Sequence, residues 1–286
     1  MPLMTHLGYN YSIVLGFVQF STLGHDGLNG SRCIVKGAHI FSFKGLSQSY
    51  AKDKNNVYVH CDIIPKADPK SFYITNGYGR DKNSLYKWAT PLPIADIDTF
   101  EFFPTGEEYS TLYGKDKYFV YYAGEKIKEA DLNTFKILNK EETNNYYNMY
   151  LLNSISTKRL IYARDKNSLY ISGEKVPFIN PETFVDLGSG YLKDRHNVVK
   201  KTRKENTVNE KVYKQLEDRD APTFEMIEYE YTKDKNNVYF RDEIIENADP
   251  DSFQVVHGIC DNYNCDAKDS NFEYLRGVII SPLLDS

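Results

Sequence analysis

An all-β chain, built as a tandem array of short antiparallel meanders, is predicted by three observations. A nine-residue element, first seen as Tyr50-Ala51-Lys52-Asp53-Lys54-Asn55-Asn56-Val57-Tyr58, recurs along most of the sequence. A second element, first seen as Ala67-Asp68-Pro69-Lys70-Ser71-Phe72, follows each copy. The composition sets 24 Tyr and 16 Phe against one Trp and four Met, a bias toward residues that suit a pleated sheet.

The Asp-Lys element starts in turn at Tyr50, Tyr78, Tyr113, Tyr162, Tyr191 and Tyr231, with its aspartate at Asp53, Asp81, Asp116, Asp165, Asp194 and Asp234. The second element ends at Phe72, Phe100, Phe135, Phe184, Phe224 and Phe253. The Asp-to-Phe separation is 19 residues in five copies and 30 in the fifth, which carries a charged insertion. Constant phase with insertions at a few joints is the signature of stacked supersecondary units. Two partial copies flank the six full ones. Ala38-His39-Ile40-Phe41-Ser42-Phe43 aligns with the Ala67–Phe72 element, and the segment from Ala267 to Tyr274 aligns with Ala51 to Tyr58.

Within a unit, Phe72-Tyr73-Ile74-Thr75 reads as a strand that meets Asn76-Gly77, a strong hairpin-turn signal. Tyr78 to Asp81 gives a second strand, Lys82-Asn83-Ser84 a turn, and Leu85 to Trp88 a third strand. Gly124 and Gly173 mark a further turn in their copies. In the connector, Asp68 or Asp249 is placed to cap a turn, and the proline after it suits a first helical position. Each unit therefore reads as a three-stranded meander plus one capped turn, and no window of comparable length carries a 3.6-residue apolar period. The expected organisation is an N-terminal strand region and eroded repeat over 1–34, the repeat array over 35–274, and a C-terminal tail over 275–286. Insertions fall at 101–112, 139–161 and 200–215. The array is expected to be open or gently curved, with ring closure the alternative; units of about 28 residues are short for propeller blades.

The formal net charge of −5 opposes general nucleic-acid binding, which needs a basic surplus. The apolar stretch Ile13 to Phe20 is too short to cross a bilayer as a helix, so no transmembrane segment is expected. Residues 1–12 lack the Lys or Arg of a signal peptide. The cytoplasm is the compartment expected by default, with the envelope or periplasm as the alternative. Of the cysteines, only Cys260 and Cys265 form a local pair; Cys33 and Cys61 lie 28 residues apart. The readings are unpaired thiols in a reducing compartment or a small-loop disulfide in an oxidising one.

The repeated Asp-Lys-Asn offers one acid per copy, not the alternating acids of a calcium loop, so it reads as turn chemistry. The repeat tyrosines read as aromatic ladders between stacked units. The histidines His6, His25, His39, His60, His196 and His257 show no ligand spacing, and His39 and His196 read as substituted turn residues. The run Lys200-Lys201-Thr202-Arg203-Lys204 reads as a solvated charged loop. No phosphate loop, His-Glu-x-x-His or Gly-x-Ser-x-Gly is present. No catalytic, metal or cofactor-binding residue is assigned, and no cofactor is expected.

With Asp-Lys-Asn-x-Val-Tyr followed by Ala-Asp-Pro-x-Ser-Phe, the sequence resembles the DKNYY family of bacterial repeat proteins over about residues 35–274. The resemblance supplies no catalytic residues. It implies an envelope-associated protein or an immunity partner of an interbacterial toxin. The expected function is a non-catalytic scaffold that binds another protein, with specificity in the inserted loops. An enzyme or glycan binder using Tyr and Asp/Glu at one end of the array is the alternative.

Overall fold

Alternating residues of each short strand face opposite neighbours, and this alternation builds the protein. The computed structural model describes residues 5–22, 30–104, 112–138, 160–204, 211–228, 230–256 and 265–282. They form eight four-stranded antiparallel sheets in tandem, each with its strands in sequence order and none closed into a barrel. We number the sheets 1 to 8 and the strands of each a to d. Sheets 1 to 4 belong to one compact unit, residues 1–133, and sheets 5 to 8 to a second, 134–286.

Sheet 2 shows the plan. Strand a is Lys44–Gly45, b is Tyr50–Lys52, c is Val57–Val59 and d is Asp62–Ile63. Strands b and c pair Tyr50 with Val59, Ala51 with Tyr58 and Lys52 with Val57. The meander expected from sequence is thus one strand short. The fourth strand spans two residues in sheets 2, 3, 4 and 7, too few to display an alternation. The Asn76-Gly77 turn forms as expected, joining Thr75 to Tyr78 with both residues at positive φ.

The two partial copies are whole sheets. Sheet 1 comprises Thr5–Gly8, Tyr11–Val14, Phe17–Ser21 and Arg32–Ile34, although it lacks the Asp-Lys turn. Sheet 8 comprises Gln254–Val255, Ala267–Lys268, Phe272–Leu275 and Val278–Pro282, so its fourth strand lies within 275–286.

The core lies between sheets. Ala51 and Tyr58 of sheet 2 turn toward sheet 1 and pack with Tyr11, Val18, Phe20 and Phe43. Tyr50, Val57 and Val59 turn toward sheet 3 and pack with Ile64, Phe72 and Tyr86. In four layers the connector phenylalanine, Phe43, Phe72, Phe224 or Phe253, lies between two tyrosines. Phe43 lies 5.4 Å from Tyr11 and 5.5 Å from Tyr58, and Phe253 lies 5.3 Å from both Tyr231 and Tyr274, centroid to centroid. In these layers the tyrosines expected to stack on one another are separated by the phenylalanine. Gly79 gives Phe72 its seat: a Cβ there would overlap the Phe72 ring.

Sheet 8 changes the pattern on its far face. Positions that hold Tyr50 and Val57 in sheet 2, or Tyr231 and Val238 in sheet 7, hold Asp266 and Glu273. Glu273 is buried and accepts from Ser281 Oγ at 2.9 Å, while Asp266 accepts from Tyr231 OH at 2.7 Å.

Candidate functional site

The repeat points first to its aspartate. Asp53 is 4% exposed and takes four hydrogen bonds. Its Oδ1 accepts the amides of Asn55 and Asn56 at 2.7 and 2.8 Å, closing the turn between strands b and c. Its Oδ2 accepts the Tyr58 hydroxyl at 2.8 Å and the His39 amide of the preceding connector at 2.7 Å. One carboxylate thus joins turn, strand c and the incoming chain.

The same constellation recurs. Asp81 holds the Asp68 amide and Tyr86, Asp116 the Asp96 amide and Tyr121, Asp234 the Asp220 amide and Tyr239, and Asp269 the Asp249 amide and Tyr274. Burial by itself would raise the pKa of Asp53, Asp116 and Asp194, but their hydrogen bonds outweigh it and hold all three below the usual carboxylate value. Burial, then the bond to the anion, pushes Tyr58, Tyr86, Tyr121 and Tyr239 up to about 12.

A second fastening comes from the cation that ends strand b. Lys52 Nζ donates to the Phe72 carbonyl at 2.8 Å, Arg80 to those of Phe100 and Ile97 at 2.9 and 2.6 Å, and Lys193 to that of Phe224 at 2.6 Å. A third comes from the tyrosine that opens strand b. Tyr11 OH donates to the Ser49 carbonyl at 2.6 Å and Tyr50 OH to that of Trp88 at 3.3 Å. In the second unit the acceptors are carboxylates, Tyr162 pairing with Asp186 and Tyr191 with Asp242.

The fifth copy departs in a paired way. Asp194 still holds its turn and the Asn180 amide, but Val199 stands where the other copies have tyrosine. The residue before the capping position is Ala38, Ala67, Ala95, Ala130 or Ala248 in five tyrosine copies and Ile179 here. Ile179 and Val199 share one core cluster, so the larger aliphatic fills the space of the missing ring. In the sixth copy that position is Arg219, whose guanidinium lies 3.6 Å from the centroid of Tyr239. Its Nη2 donates to the Asp242 carbonyl at 2.7 Å and its Nη1 is 2.6 Å from Asp218 as an ion pair without hydrogen-bond geometry; Nε has no hydrogen-bond partner among the described residues. Aligning each connector against the residue five beyond the next aspartate would have found both exchanges in the sequence.

The third insertion departs from its expected form. Lys200 to Arg203 belong to strand c of sheet 6, Val198–Arg203, paired with Lys211–Gln215, and not to a solvated loop. Lys200 Nζ donates to Tyr191 OH at 2.7 Å and to Asp242 Oδ2 at 2.6 Å; charge opposite a tyrosine and a carboxylate draws the run into the sheet. Residues 105–111, 139–159 and 205–210, parts of the three insertions, lie outside the described residues.

The cysteines depart as well. Cys33 and Cys61 form a disulfide with Cα atoms 6.1 Å apart, which corrects the reading of unpaired thiols. Cys265 is likewise disulfide-bonded, and among the described residues no cysteine is free. Cys260 lies outside the described residues, as do His25 and His257. His39 and His196 are turn residues as expected, His196 giving its amide to Asp194 at 2.7 Å. The His60 ring lies between those of Phe20 and Trp88, tilted to both, with centroids 4.8 and 5.5 Å away. Among the described residues no three His, Cys, Asp or Glu side chains converge as a metal site, and no helix is long and apolar enough to cross a membrane.

The chemistry of the repeated aspartates is therefore cohesion: Asp53, Asp81, Asp116, Asp194, Asp234 and Asp269 each accept the amide of a preceding connector. No curated protein and no solved structure matches the chain. The family model described as the DKNYY family matches residues 28–154, 78–203 and 113–278, three overlapping stretches of the repeat pattern. With its Asp-Lys turns and Ser/Thr-Phe connectors at constant phase, the chain belongs to the DKNYY family.

Proposed function

We propose that this chain is a non-catalytic scaffold that binds another protein, of the immunity or envelope-associated kind found in bacteria. The carrying observation is the division of labour within the repeat. One backbone geometry, held by inward-facing Asp, Tyr and Lys, displays different side chains at equivalent outward positions.

The turn position two beyond the aspartate is Asn55, Asn83, Tyr118, Asn167, His196, Asn236 and Asn271 in successive copies. The positive-φ residue of four connectors is Lys66, Glu129, Phe178 and Asn247. Tyr118 and Phe178 are each 56% exposed, Trp88 is 53% exposed and Phe41 is 95% exposed. Aromatic side chains presented on a rigid frame are what protein interfaces use as anchors. Loops inserted into a scaffold commonly carry its specificity, which makes 139–161 the first candidate.

Affinity capture with the intact chain, beside variants lacking 139–161 or carrying Trp88→Ala and Tyr118→Ala, tests this. A protein partner retained by the intact chain and lost from a variant supports it. Capture of no protein, or capture indifferent to every variant, refutes it. The half-exposed Trp88 also suits a sugar ring, so binding to a glycan panel abolished by Trp88→Ala would favour the alternative.

A further inference from the structure

In sheet 1 two of these fastenings cannot form. Aligned on the tyrosine that opens strand b, Tyr11-Ser12-Ile13 replaces Tyr50-Ala51-Lys52. Ile13 cannot donate the hydrogen bond that Lys52 gives the Phe72 carbonyl, so the staple to the following connector is missing. The turn between strands b and c is Leu15-Gly16, with no carboxylate to gather amides around it. Among the described residues, the strands and turns of sheet 1 keep the ties of Tyr11 to the Ser49 carbonyl and Asn10 to the Gln48 carbonyl, at 2.6 and 3.0 Å, while Asp53 holds the connector through the His39 amide.

A covalent bond stands in this gap. Cys33 lies on strand d of sheet 1 and Cys61 in the turn between strands c and d of sheet 2, so their disulfide crosses the same junction. Cys33 is exposed, within reach of any soluble thiol. An accessible disulfide persists in oxidising compartments and is reduced by the thiol pool of the cytosol. Cys265, at the other end of the array, is oxidised too.

We infer that the chain matures in an oxidising compartment, outside the cytoplasm, and that the Cys33–Cys61 bond fastens sheet 1 to sheet 2 in place of the lysine staple. In forming it, the two thiols give up two protons and two electrons to a disulfide oxidant, which is reduced to two thiols. The inference is independent of which partner the scaffold binds.

Two measurements test it on the full chain. In the first, cells that naturally make the protein are acid-quenched and alkylated before reduction. Cys33 and Cys61 should remain unlabelled until a reductant is added; labelling beforehand overturns the compartment. In the second, amide exchange is compared for the oxidised chain, the same chain reduced, and Cys33→Ser/Cys61→Ser. A cross-link closing a loop of this length restrains the open state by roughly a few hundred-fold. Amides of Tyr11–Val14 and Phe17–Ser21 should therefore exchange up to roughly that much faster without the bond. Those of Tyr78–Arg80 and Val120–Tyr122 should be unchanged, because stacked repeats couple to their neighbours. Exchange in sheet 1 that is indifferent to reduction and to the double substitution overturns the fastening role. The reduced wild-type chain gives the same readout if the double variant fails to fold.

Discussion

Replacing Asp53 with Asn changes one oxygen to a nitrogen and keeps the shape of the side chain. The amide oxygen can still close the turn on Asn55 and Asn56. The NH2 group then faces the His39 amide at 2.7 Å and the Tyr58 hydroxyl at 2.8 Å, where an acceptor is needed. Tyr58 can rotate its proton and accept instead. The His39 amide cannot, and a buried donor left without a partner costs about 1–3 kcal/mol. The remaining bonds lose their charge, which roughly halves their strength. The expected destabilisation of the first unit is about 3 kcal/mol, and Asp53→Ala should cost more because all four donors lose their acceptor. Urea unfolding supplies the energy and amide exchange at His39, Asn55 and Asn56 its location. Because the pKa of Asp53 is depressed in the folded chain, its contribution is full above the unfolded value near pH 4 and fades as pH falls through the folded value. The gap between wild type and Asp53→Asn should therefore be widest at neutral pH and close in acid. A loss below about 0.5 kcal/mol at pH 7, with His39 still protected, would refute the lock as a source of stability.

Four other outcomes are expected. Gly79→Val should destabilise by about 1–3 kcal/mol, since the Phe72 ring occupies the space of the new Cβ; thermal unfolding measures it. Thr232→Val should stabilise by about 1 kcal/mol, because the buried Thr232 hydroxyl has no hydrogen-bond partner among the described residues and valine keeps its shape. Val199→Tyr should clash with Ile179, whereas Ile179→Ala/Val199→Tyr should recover most of the loss by restoring the pairing of the other copies; a double-mutant cycle reads the coupling. On the alkaline side, Tyr58, Tyr86, Tyr121 and Tyr239 stay protonated in the folded chain up to about 12. Their contribution is full below the unfolded value near pH 10 and is lost as pH rises through 12, so unfolding monitored by circular dichroism should set in within that window.

The repeat elements are legible in the residues alone because their chemistry is local. Asp53 reaches amides two and three positions ahead and a hydroxyl five ahead, so turn and strand c are written in consecutive letters. The Asn76-Gly77 hairpin is legible for the same reason, since its positive φ angles demand those residue types. The all-β class, the repeat phase and the family membership follow from such local patterns.

What the tertiary structure decided is everything that depends on a partner far along the chain. The two-residue fourth strands exist because strand c offers them an edge, and no propensity marks Asp62–Ile63 as a strand. The reach of Asp53 to His39, of Lys52 to Phe72 and of Tyr50 to Trp88 spans 14 to 38 residues, so their role as ties between repeats appears only once the sheets are stacked. Cys33 and Cys61, 28 residues apart, carry no local sign of pairing until two adjacent sheets bring their Cα atoms to 6.1 Å. The sequence determined the repeating unit, because its geometry is set by bonds within a few residues. The stacking determined how units are joined, because those bonds run from one sheet to the next.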